Sequence, residues 1–85
     1  MSEVMIIFRI LPADSETDLS KIESAVRGLV DVKRAETEPL AFGLKSLKLT
    51  VFIMDAEGES DRAEEKIRSV EGVGEIEVLE MSRLM

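Results

Sequence analysis

Two apolar stretches of nearly equal length, Glu3 to Leu11 and Lys45 to Met54, are each followed by a segment with apolar residues at helical spacing. This arrangement constrains the fold more than any other feature. The first stretch is β-prone on both alternating sets, with Arg9 the one charge inside and Pro12 at its end, which predicts a central strand. The second alternates cleanly, with Leu47, Leu49, Val51 and Ile53 on one face and Lys48, Thr50, Phe52 and Met54 on the other. Behind the first strand, Asp18 is placed to cap a helix whose stripe is Leu19, Ile22, Val26 and Leu29. Behind the second, a turn at Asp55 to Gly58 leads to Ser60 as the expected cap of a helix turning Ala63, Ile67 and Val70 inward, with Gly72 ending it.

Two weaker segments complete the pattern. Val32 to Thr37 is mostly charged, with Val32 and Ala35 its packing residues, as suits an edge strand. Gly74 to Met81 alternates, with Ile76 and Val78 on one side and Glu75, Glu77, Leu79 and Met81 on the other, leaving Ser82 to Met85 as a tail. The order β-α-β-β-α-β with two amphipathic helices predicts a ferredoxin-like α+β sandwich, two helices on one face of a four-stranded antiparallel sheet. At 85 residues, with no internal repeat or linker, the chain is expected to form one domain, 1–85.

Such a sheet leaves one face uncovered. Unbroken alternation would place Met5, Ile7, Leu11, Phe52, Met54, Leu79 and Met81 there, apolar enough for a protein-binding face or a homodimer. The alternative is that central strands are apolar on both sides because β-propensity favours it.

Several function classes fall on composition. Eighteen acidic against eleven basic residues give a formal net charge of -7, which repels phosphate backbones and anionic headgroups, so neither nucleic acid nor a membrane is an expected partner. Aromatics are only 4% of the chain, with no Trp or Tyr to stack on bases. The absence of Cys and His removes disulfides, thiolate nucleophiles, the usual zinc ligands and the commonest general base. Acid pairs such as Glu36 with Glu38 and Asp55 with Glu57 lack a partnering nucleophile or a calcium-loop spacing and read as solvated surface. An acylphosphatase-like activity needs anion-holding donors in the first strand-to-helix loop, and Asp14 and Glu16 there would repel a phosphate. The apolar run at the N-terminus is too short to span a bilayer and follows an acidic residue, so the expected location is cytoplasmic.

The segment Glu38-Pro39-Leu40-Ala41-Phe42-Gly43-Leu44-Lys45-Ser46-Leu47-Lys48 places an aromatic before a glycine, between a proline and a strand. Pro39 holds Glu38 extended, Gly43 permits a turn, and Phe42 is either packed inward or offered to a partner. Position by position this stretch resembles the signature of the elongation factor 1-beta guanine-nucleotide exchange domain, and Met81-Ser82-Arg83-Leu84-Met85 is similar to the family's C-terminal ending. The resemblance covers essentially the whole chain, in the compact form of the archaeal members. No segment precedes the domain as in eukaryotic members, so larger assemblies are not expected.

The resemblance implies promotion of GDP-to-GTP exchange on translation elongation factor 1-alpha, restoring the form that binds aminoacyl-tRNA. It implies protein-protein binding without covalent chemistry, with no catalytic residue, metal or cofactor of the chain's own. It places partner-binding residues at Pro39, Phe42, Gly43 and Lys45 and at Arg83 and Leu84: the loop phenylalanine against the partner's second domain, the basic residue toward its magnesium and phosphate site. Eukaryotic members commonly carry lysine where this chain has Arg83, a planar fork of donors in place of a point charge. The expected state is a monomer, with a weak dimer through the open face the variant. The competing reading is a ferredoxin-like regulatory or assembly module that binds a small ligand or dimerises through that face.

Overall fold

The computed structural model describes residues 3–40 and 43–84. Its elements run β1 (Glu3–Pro12), α1 (Leu19–Arg27), β2 (Asp31–Pro39), β3 (Lys45–Met54), α2 (Glu59–Arg68) and β4 (Val73–Leu84). The four strands form one sheet in the order β2-β3-β1-β4, every neighbouring pair antiparallel. The two strands predicted to be central are central, and the ferredoxin-like α+β fold is the observed one.

Burial follows the period-two pattern of the strands. Val4, Ile6, Phe8 and Ile10 of β1 and Leu47, Leu49 and Val51 of β3 are buried beneath Ile22 and Val26 of α1 and Ala63 and Ile67 of α2. Asp18 caps α1, its carboxylate accepting from the Ser20 backbone N–H at 3.0 Å. α1 ends at Arg27 with Gly28 as its C-cap, so Leu29 falls beyond the helix and is 43% exposed rather than on the buried stripe.

The second helix starts earlier than its hydroxyl suggests. Gly58, at φ 80°, is its N-cap, and Ser60 lies inside the first turn with Glu59 and Asp61, whose carboxylates suit the positive end of the helix dipole. In β2 a bulge at Lys33 explains how Val32 and Ala35, three residues apart, both pack inward: Val32 pairs with Val51 and Ala35 with Leu49.

The last strand departs most from expectation. β4 continues through Ser82 and Arg83 to Leu84 instead of ending at Met81, because β1 supplies partners for all of them: Met5 opposite Ser82, Val4 opposite Arg83, Glu3 opposite Leu84. Phe8 pairs with Val78 but Ile7 pairs with Glu80, so Leu79 is an extra, bulged residue. Directly opposed residues share a face, and past the bulge the faces exchange. Met81 therefore lies opposite Ile6 on the helix-covered side, not on the open one, and Glu80 and Ser82 take the open positions. A second shift leaves Gly74 unpaired between Glu75 and Val73; a Cβ there would stand 2.8 Å from the Pro12 carbonyl oxygen.

The open face is accordingly less apolar than unbroken alternation suggests. Met5, Ile7, Leu11 and Phe52 are half-buried on it, and Met54 is exposed. A charged row crosses it: Glu36 of β2, Lys48 of β3, Arg9 of β1 and Glu77 of β4 are cross-strand neighbours, and Arg9 lies 3.7 Å from Glu77. The Arg9 Nε is buried without a hydrogen-bond partner, so this row separates Leu11 from the Met5, Ile7 and Phe52 cluster with a costly polar group.

Candidate functional site

At one end of the sheet, β2 and β3 are joined by a short connection. Pro39, the last residue of β2, pairs with Lys45, the first of β3, and the Leu40 N–H donates to the Leu44 carbonyl at 2.6 Å to close the loop. Gly43 adopts φ 75°, the left-handed region that costs a side-chain-bearing residue energy. An added Cβ would meet nothing within 4 Å, so backbone conformation rather than space requires glycine there. Pro39, Leu40, Gly43, Leu44 and Lys45 are all exposed. Leu40 and Leu44 border a shallow depression that Leu11, Pro12 and Gly74 complete. Phe42 lies outside the described residues.

The β1-to-α1 loop stands beside this connection, and Thr17, Asp18, Thr37 and Lys45 share the rim of a second open depression. Its acids are occupied locally. Asp14 accepts from the Glu16 N–H at 2.9 Å and from the Thr17 hydroxyl at 3.0 Å, and Asp18 accepts from the Ser20 hydroxyl at 2.6 Å. The Ser20 hydroxyl, with help from the Ser20 backbone N–H, holds the Asp18 carboxyl below the ordinary aspartate value of 3.8. These carboxylates shape a turn and a cap, and an anion would meet negative charge.

At the other end of the sheet stands Arg83. Because of the bulge at Leu79 it lies opposite Val4, on the side of the sheet that carries the helices. Asp55, the residue after β3, is on that side too, and its Oδ2 lies 3.0 Å from the Arg83 Nε. Leu84 follows as the last residue of β4, opposite Glu3. The pairing of Arg83 with Asp55 had no signal in the sequence, since 28 positions separate them.

Pro39, Gly43 and Lys45 therefore come together, Arg83 and Leu84 come together, and the two groups are held apart. A ten-residue strand such as β3 rises about 30 Å at roughly 3.3 Å per residue, and the longest dimension of the molecule is 42 Å. Among the described residues, the depressions bordered by Gly43, Leu44 and Lys45 do not include Arg83. Among the described residues no cluster of three or more acids suits a metal ion. Of the acid pairs noted in the sequence, Glu36 faces Arg34 at 3.0 Å and Asp55 faces Arg83.

The fold and the placement of these residues define a class: a ferredoxin-like α+β domain with Pro39, Gly43 and Lys45 exposed at one end of its sheet and Arg83 exposed at the other. Residues 5–84 match the family described as the EF-1 guanine nucleotide exchange domain. The chain is 42% identical over 80 residues to elongation factor 1-beta of Thermoplasma acidophilum, covering 89% of this chain and 91% of the relative. It is 39% identical over 83 residues to the elongation factor 1-beta of Methanoregula boonei, covering 96% and 98%. With that of Methanosphaera stadtmanae it shares 33% over 88 aligned positions, an alignment covering 100% of both chains. The chain belongs to the EF-1 guanine nucleotide exchange domain family.

Proposed function

We propose that the protein accelerates replacement of GDP by GTP on elongation factor 1-alpha through a contact made at both ends of its sheet. Family membership supports exchange as the activity, and the separation of the exposed Pro39, Gly43 and Lys45 from the exposed Arg83 supports the two-ended contact. One end, with Pro39, Phe42, Gly43 and Lys45, grips the partner away from the nucleotide. The other, with Arg83 and Leu84, works at the nucleotide site. A four-stranded sheet between them transmits position with little give, because its two central strands are paired continuously from Glu3 with Met54 to Ile10 with Leu47.

Exchange of this kind needs no covalent step. The factor binds best to the state of its partner that holds nucleotide poorly, and the coupling is reciprocal: if it weakens GDP about a thousandfold, GDP weakens it equally, about 4 kcal/mol. We read 1–85 as one exchange domain, a monomer acting in the cytoplasm and touching protein rather than nucleic acid. No helix among the described residues is long and apolar enough to cross a membrane.

The test is the release of fluorescent GDP from elongation factor 1-alpha, in excess unlabelled nucleotide, with this protein substoichiometric. Acceleration is expected, reduced tenfold or more by Phe42→Ala or Arg83→Ala in folded protein. Wild-type acceleration by both variants would refute the residue assignment, and no acceleration by the folded parent would refute the activity.

A further inference from the structure

We propose that Asp55 is a positioning residue for exchange: it holds the Arg83 guanidinium by its Nε side, so that the outer nitrogens face the partner before contact. The proposal rests on the exchange reading above and deepens it. The backbone at both residues is fixed. Arg83 is paired to Val4 within the sheet, and Asp55 sits in a turn closed by the Ala56 N–H to Met54 carbonyl bond at 2.9 Å and the Glu59 N–H to Ala56 carbonyl bond at 3.2 Å. The Asp55 side chain is 34% exposed and that of Arg83 70% exposed, so the carboxylate is the more enclosed of the two and the guanidinium the more open to a partner.

Geometry determines what such a contact leaves available. A guanidinium carries five N–H groups in a rigid fork, and its Nε contact with Asp55 leaves the Nη1 and Nη2 edge uncovered. That edge matches a bidentate oxyanion, a carboxylate or a phosphate. Arg83 makes no second ion pair among the described residues. Without Asp55, a long side chain at the exposed end of an edge strand would sample many rotamers, and ordering it on contact would weaken the contact. A lysine at this position has a single nitrogen, so pairing it with Asp55 would occupy the charge meant for the partner. The proposal therefore predicts opposite signs for loss of Asp55 in the two backgrounds.

The experiment measures nucleotide release from elongation factor 1-alpha, as maximal stimulated rate and half-saturating concentration. It compares the parent, Asp55→Ala, Asp55→Asn, Arg83→Ala, Arg83→Lys and the two double variants carrying Asp55→Ala. Exposed ion pairs are weak, so Asp55→Ala should lower the maximal rate about two- to fivefold, and Asp55→Asn, which removes the carboxylate charge, should lower it similarly. Asp55→Ala should add nothing to Arg83→Ala and should raise the rate of Arg83→Lys. In the free protein, Asp55→Ala should raise the mobility of the Arg83 side chain measured by NMR relaxation. A parent-like or faster Asp55→Ala, or an equal loss in the Arg83→Ala background, overturns the positioning role while exchange stands. Arg83→Ala acting like the parent overturns the exchange role of Arg83, and this proposal with it.

Discussion

Ile6 and Met81 lie directly opposite one another on β1 and β4, on the side of the sheet that the helices cover. Strict alternation from Ile76 and Val78 puts Met81 on the other side, and the bulged Leu79 accounts for the difference. The same residue sends Arg83 to the side where Asp55 stands. One extra residue in a strand thus decides which surface carries the basic group.

Cysteine pairs report this register directly, because the chain has no cysteine of its own. Val4 and Arg83 are opposed and share a face, so Val4→Cys with Arg83→Cys should close a disulfide under mild oxidation. Val4→Cys with Ser82→Cys should stay reduced, its side chains on opposite faces. Mass spectrometry after oxidation distinguishes the two, and the reverse pattern would mean that the bulge is absent.

Capping by Asp18 should make α1 sensitive to acid. Its carboxyl is held below 3.8 by the Ser20 hydroxyl first and the Ser20 N–H second. A depressed acid contributes stability above its unfolded pKa, and that contribution is lost as pH falls through the folded value. Asp18→Ala should therefore melt below the parent at neutral pH, and the gap should close as pH falls below the ordinary aspartate range. Melting curves of both proteins across that range check this, and a gap widening toward acid would contradict the capping account.

Two glycines near the loop end should respond to alanine for different reasons. Gly43→Ala meets no atom within 4 Å and incurs only left-handed backbone strain, about 1–2 kcal/mol. Gly74→Ala places a methyl 2.8 Å from the Pro12 carbonyl oxygen and 2.9 Å from the Ala13 Cα. Those are backbone atoms that cannot turn aside, so the sheet must open locally at a cost of about 2 kcal/mol or more. Urea midpoints should rank parent, Gly43→Ala, then Gly74→Ala; equal midpoints for Gly74→Ala and the parent would contradict the close approach.

Local periodicity is enough to place the core strands and helices. Val4, Ile6, Phe8 and Ile10 alternate, Ile22 with Val26 and Ala63 with Ile67 recur every four residues, and each pattern has one way to bury its apolar set. Asp18 was legible as a cap because its bond reaches only two residues along the chain. The signature from Glu38 to Lys48 was legible as a resemblance, and the family comparison agrees with it. Tertiary structure decided whatever depends on a partner distant in sequence. Ser82 to Leu84 are a strand because Met5, Val4 and Glu3 pair with them; alone they carry no strand signal. The bulge at Leu79 exists only in relation to β1, and alternation read along a single strand cannot show where a residue is skipped. Arg83 meets Asp55 because β3 and β4 both finish at the same end of the sheet, beside Glu3, a proximity set by pairing between chain segments and by nothing local to either residue.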